Sequence, residues 1–262
     1  MERIFLREKT EEVPLCIKEK QKIGVVGMNR GVGTSFVATS LARFLSETNA
    51  MRVTFLEVCD RLSEKKSFVY DSIGIDKRFK TREFVCFYHE VKTGCNVKGK
   101  TNYDEMINWA LITPEDINGE IELTPIEMVR LLNNVSGDVI ICDISECKNA
   151  VDYLLDMDGI VFVIDPSPTS MISGYPLLKE IKRMEHNGKK VAWVVNKFNA
   201  GINKRDMQNF LKIKEFYKIP AMNCEDFYSA EYNCKLPYEM QSIRNQSSEI
   251  FEKILLKNFE MF

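Results

Sequence analysis

One run of residues has the composition of an anion site. Ile23-Gly24-Val25-Val26-Gly27-Met28-Asn29-Arg30-Gly31-Val32-Gly33-Thr34-Ser35 passes from an apolar strand, through a glycine-rich turn, into a helix-forming stretch. The first backbone N–H groups of such a helix have no intrahelical acceptor and form a cradle for phosphate. Gly27, Asn29, Arg30, Gly31, Val32, Gly33, Thr34 and Ser35 are therefore the candidate phosphate-binding residues. The phosphate-loop pattern places a lysine before the final hydroxyl residue, where it reaches the β- and γ-phosphates. Here that place holds Thr34. The loop keeps the glycines and lacks the charge, which points to binding without efficient hydrolysis.

Two further positions bear on the same chemistry. Asp143 ends the apolar run Val139-Ile140-Ile141-Cys142. An aspartate there holds Mg²⁺ directly or through water, or else caps the following helix. Ser35 would supply the hydroxyl ligand to the same Mg²⁺; the other reading is a serine on a helix surface. Asn196-Lys197 closes another apolar run. Its side-chain amide has the donor and acceptor needed to read a purine edge, and the alternative is an ordinary polar turn.

The elements that must position these groups follow from periodicity. Apolar runs at Lys22–Gly27, Arg52–Val58, Ile107–Ile112, Asp138–Asp143, Gly159–Ile164 and Lys190–Asn196 read as strands, with helical patterns between them. The first helix is expected from about Gly33 to Thr48. Another should follow Thr124-Pro125, a cap and a first-turn proline, with Ile126, Val129, Leu131 and Leu132 inward. This alternation gives an α/β fold, a doubly wound, mostly parallel sheet with helices on both faces. Its ligands lie at the carboxyl ends of the strands. Residues 1–20 read as an extension and 21–262 as one domain. Within it, 60–105 is a β-rich excursion or hairpin, on the strength of Phe84-Val85-Cys86-Phe87-Tyr88 and the turn Lys98-Gly99-Lys100.

Composition narrows the function classes. The 262 residues carry a net charge of −2 and are 45% hydrophobic, enough for a full core and without a global field toward nucleic acid or anionic membrane. The cluster Lys179, Lys182, Arg183, Lys189 and Lys190 is interrupted by Glu180 and Glu185 and reads as a solvated helix face. No run approaches the ~18 apolar residues of a membrane span, and the charged start Met1–Lys9 lacks a signal-peptide core. A cytoplasmic protein without membrane insertion is expected. None of the eight cysteines forms a C-x-x-C pair, and there are only two histidines. Reduced, buried thiols are therefore expected in place of a zinc or catalytic cysteine site.

In order and spacing these motifs resemble the MinD/ParA class of P-loop ATPases, whose relatives include the CpaE and TadZ pilus-assembly proteins and flagellar placement factors. The resemblance covers about residues 20–260. It rests on the loop 29–35, on Asp143 as the Walker B acid and on Asn196 as the base-proximal asparagine. Ile219-Pro220, Ala230-Glu231 and Leu236-Pro237, and a final amphipathic helix at about 247–259, add to it. The resemblance implies a P-loop NTPase domain binding ATP or ADP with Mg²⁺. It also implies protein partners in a positioning or assembly system (pilus, secretion, cell-pole or partition type) and a homodimer.

The departures imply weak or absent ATPase activity, a pseudo-ATPase. Thr34 replaces the loop lysine, and Asn29 replaces the signature lysine that reaches a partner's nucleotide. Arg30 replaces a glycine, and either restores charge or clashes. The second strand reads Glu57, Cys59 and Asp60 where the family has two acids two apart. The alternative is an active small P-loop ATPase or ligase-type enzyme, which would need the missing lysine. An iron–sulfur carrier of the same superfamily would need a C-x-x-C. The terminal stripe Ile250, Phe251, Ile254, Leu255, Phe259 and Phe262 is flanked by Glu249, Glu252 and Glu260, and is expected to pack on the sheet in preference to a membrane.

Overall fold

The computed structural model describes residues 20–48, 51–59, 69–80, 83–147 and 149–261. The expected extension, Asp60 and Phe262 lie outside the described residues or nearly so, Lys20 being the first of them. In chain order the elements are β1 (Gln21–Gly27), α1 (Thr34–Thr48), β2 (Val53–Cys59), α2 (Val69–Ser72), α3 (Ile75–Arg78) and α4 (Phe87–Lys92). There follow β3 (Tyr103–Asp104), β4 (Ile107–Ala110), α5 (Pro114–Asn118), α6 (Pro125–Asn134), β5 (Val139–Glu146), α7 (Ala150–Leu155) and β6 (Gly159–Ile164). The chain ends with α8 (Pro168–Ser173), α9 (Tyr175–His186), β7 (Lys190–Phe198), α10 (Lys204–Leu211), β8 (Tyr217–Pro220), α11 (Cys224–Tyr232) and α12 (Gln241–Ile254). No described helix is long and apolar enough to cross a membrane.

The strands form one eight-stranded sheet in the order β3-β4-β2-β5-β1-β6-β7-β8. Every pairing is parallel except β3 with β4. Because side chains alternate along a strand, β5 feeds two cores. Ile140, Cys142 and Ile144 join the side chains of α4, α6, α7, α8, α9 and α10. Val139 and Ile141 face α1 and α12 on the other side. Both faces are covered, so the strands are continuously apolar and Cys59 and Cys142 are buried as expected. Burial pushes the Cys142 thiol up, away from reactivity.

The excursion differs from the β-rich expectation. Among its described residues only Tyr103–Asp104 is a strand, forming a short hairpin with β4 across Glu105 and Met106, both at positive φ. The apolar run at 84–88 enters α4. Asn102 explains the change: its side chain accepts from Val85 N–H at 2.8 Å and donates to Val85 C=O at 2.9 Å. The extended segment is thus satisfied by a side chain and recruits no strand. Phe87, Tyr88 and Val91 then bury at helical spacing. The turn after Val97 forms as expected, with Lys100 N–H donating to Val97 C=O.

In α6 the Thr124 cap and first-turn Pro125 are as read, within a capping box closed by Glu127. The inward stripe, however, is Met128, Leu131 and Leu132. Ile126 is 83% exposed and Val129 37%. Ile126 stands two residues, about 200°, from Met128 on the helix. At the C-terminus Phe251, Ile254, Leu255 and Phe259 are buried against the sheet. The Phe259 ring lies on Gly159, where any side chain would overlap it.

Candidate functional site

The site lies at the carboxyl end of β1, between the ends of β5 and β6. Met28 N–H donates to Val163 C=O at 2.8 Å, which extends the β1–β6 ladder into the turn. The Met28 side chain is buried in the core that includes α8 and α9. Gly31 and Gly33 then adopt φ of +74° and +91°, values that L side chains avoid. The first bond of α1 runs from Val37 N–H to Gly33 C=O at 3.0 Å. The N–H groups of Gly33, Thr34, Ser35 and Phe36 precede it and lie at the positive end of a 15-residue helix.

The loop is held from behind by β7. Asn196 is 4% exposed and its Nδ2 donates to Val32 C=O at 2.8 Å. A Cβ at Gly33 would overlap that amide nitrogen. Asn196, expected as a purine-reading amide, here lies against the loop, and its amide shapes that loop. Its neighbour Lys197, at φ +56°, donates from Nζ to Gly31 C=O at 2.7 Å and pairs with Asp165 at 3.1 Å. Burial alone would raise the Asp165 carboxyl. The Ser167 N–H and the Lys197 ammonium outweigh it and hold the pKa below its ordinary value.

Two of the positions that differ from the family pattern, Thr34 and Asn29, are engaged within the chain. Thr34 is 5% exposed, and its hydroxyl lies over Gly27, where a Cβ would overlap it. Asn29 Nδ2 donates to Ser170 C=O at 2.6 Å and to Ser170 Oγ at 2.9 Å. This amide ties the loop to α8 of its own chain. Gly174 allows that approach, since a Cβ there would overlap Met28. Arg30 is exposed.

The carboxylates and hydroxyls lie on the α1 side of the sheet. Asp143, 2% exposed, has the same strand parity as Ile141 and so faces α1. Ser35 Oγ lies 3.4 Å from Ser145 Oγ, two residues beyond Asp143 on that face. A hydroxyl and a carboxylate are hard oxygen donors of the kind Mg²⁺ takes. Glu57 is paired in register with Asp143 and is 1% exposed. Its carboxylate accepts from Ile112 N–H at 3.0 Å and Val69 N–H at 3.4 Å, organising the turn beyond β4. Beyond Glu57 the register shifts, and Cys59 turns into the core beside Val58.

Lys197, Asp165, Ser145 and Ser170 carry no recognised motif. The one sequence signal for them was the adjacency of Lys197 to Asn196.

No protein-family model and no curated protein sequence matches the chain. Solved structures do. A putative plasmid partition protein from Borrelia burgdorferi B31 bound to AMPPNP is similar at TM-score 0.66 and 16% identity, over 91% of this chain and 99% of that one. The septum site-determining protein MinD from Pyrococcus horikoshii OT3, complexed with Mg-ADP, gives 0.65 and 14%, over 90% and 94%. The MinC:MinD cell division complex of Aquifex aeolicus gives 0.63 and 13%, over 90% and 95%. At these identities the likeness establishes the fold, an α/β P-loop NTPase fold of the MinD/ParA type.

Proposed function

We propose that this chain binds ATP or ADP with Mg²⁺ at the 27–35 loop and hydrolyses ATP weakly or not at all. It acts as a cytoplasmic positioning or assembly factor of the pilus/secretion or cell-pole/partition type, through protein partners and a homodimer. One observation carries the reading: the loop keeps two glycines at positive φ before a helix whose first bond starts only at Val37 N–H, while Thr34 is buried and Asn29 is bonded within the chain. The AMPPNP-bound and Mg-ADP-bound proteins of this fold support the ligand class. The MinC:MinD complex supports a protein partner.

Ser35 and Asp143 would hold the metal, which would supply positive charge against the phosphates. The chain's own contribution is to orient. Backbone N–H groups at the start of α1 receive the phosphates, while Asn196 and Lys197 hold the loop in shape. Phosphoryl transfer depends on positioned charge. Removing one such donor costs about 10²–10³ in rate by analogy with oxyanion holes, and both family lysines are replaced here. Steady-state ATPase assays on pure protein test the reading. Turnover on the order of 1 s⁻¹, within the ordinary enzyme range, would overturn the weak-hydrolysis claim.

A further inference from the structure

Away from the loop, at the β8 end of the sheet, a groove of about 920 Å³ runs between α9 and the segment joining α10 to β8. Six lysines line it: Lys182, Lys204, Lys212, Lys214, Lys218 and Lys257. Glu185 and Glu215 are its only acids. On a chain of net charge −2, this is a local reversal of sign. Four of the lysines fall between 204 and 218, on α10, the α10–β8 segment and β8, and the fold adds Lys182 from α9 and Lys257 from the segment after α12.

Two of the lysines are engaged. Lys182 donates to the Leu211 and Lys212 carbonyls, and desolvation lowers its pKa. Lys218 lies 5.0 Å from the Phe198 ring centroid. Lys204, Lys212, Lys214 and Lys257 are exposed and make no ion pair among the described residues. Beneath them the floor is apolar, made by Val191, Trp193, Ile213 and Phe216. β8 is the terminal strand of the sheet.

We infer that this groove docks an acidic, extended polypeptide segment of a partner protein. The charge is complementary, and such a segment alternates its side chains between two sides every ~3.3 Å. Apolar residues can then meet the floor while carboxylates meet the four lysines. A nucleic-acid backbone fits less well. Glu185, fixed by the Trp193 Nε1–H bond at 2.9 Å, and Glu215 interrupt any phosphate track. Duplex DNA, moreover, is read by elements that project into its grooves, whereas this surface is recessed. The surface is separate from the nucleotide site, so binding is tested without nucleotide.

The test is fluorescence anisotropy with a labelled peptide of about ten residues alternating glutamate and valine. The intact protein should bind it saturably, and more weakly as salt rises from about 50 to about 200 mM. The quadruple variant K204E/K212E/K214E/K257E should lose about tenfold or more in affinity, with an unchanged thermal midpoint. The control K179E/R183E, on α9 outside the groove, should bind like the parent. No saturable binding, equal binding by the quadruple variant, or tighter binding of a labelled oligonucleotide of equal charge would overturn the assignment. The last outcome would make the groove a nucleic-acid site.

Discussion

Replacing Gly33 by alanine tests how the loop is held. Two costs arise. Alanine at φ +91° is strained by about 1–2 kcal/mol. Its Cβ also overlaps Asn196 Nδ2, so the amide must leave Val32 C=O and a buried hydrogen bond worth about 1 kcal/mol is lost. Reduced freedom of the unfolded chain returns about 0.5 kcal/mol, leaving a net loss of about 2 kcal/mol. Gly31→Ala is the internal control. Its φ is +74°, and nothing lies within 4 Å of the added Cβ, so only the strain term applies and the loss is about 1 kcal/mol. Urea denaturation of both variants measures the difference. Adding phosphate should stabilise the parent protein, as any native-state ligand does, and should stabilise Gly33→Ala less. Equal destabilisation by the two variants would refute the claim that Asn196 is the loop's support.

Other expectations follow from the same geometry. The depressed pKa of Asp165 means its charged form stabilises the native state at pH above its unfolded value of about 3.9. That contribution is lost as pH falls through the lower folded value, so Asp165→Asn should flatten the acid limb of the stability–pH profile measured by circular dichroism. Restoring charge with Asn29→Lys and Thr34→Lys together should raise ATP turnover by at least about 10² in a steady-state assay. Asn29→Lys also removes the bonds to Ser170. Deleting residues 247–262 removes Phe251, Ile254, Leu255 and Phe259 from the core and should cause aggregation. The intact chain should not co-sediment with anionic liposomes.

Much of the fold was legible because a parallel sheet covered on both faces demands continuous apolar runs, as in Gly159–Ile164 and Val139–Cys142. The loop was legible because its glycines and the helix after it are contiguous. What could not be read depends on distant partners. Asn29 meets Ser170 across 141 residues, and Lys197 meets Gly31 across 166. Phe84–Tyr88 resembles a strand until Asn102 takes up the hydrogen bonds of Val85. Ile126 satisfies a local helical period, yet the face that packs is set by Met128, Leu131 and Leu132. The basic groove joins the run 204–218 to Lys182 and Lys257, which only the fold brings beside it.

Equilibrium binding of ATP and ADP, each with and without Mg²⁺, tests the central claim most directly. Isothermal titration of the intact protein should show one saturable site for either nucleotide. ATP binding should tighten when Mg²⁺ is present and weaken in Ser35→Ala and in Asp143→Asn. Absence of binding under every condition, or binding unchanged by Gly33→Ala, would contradict the reading of residues 27–35 as a nucleotide-phosphate cradle.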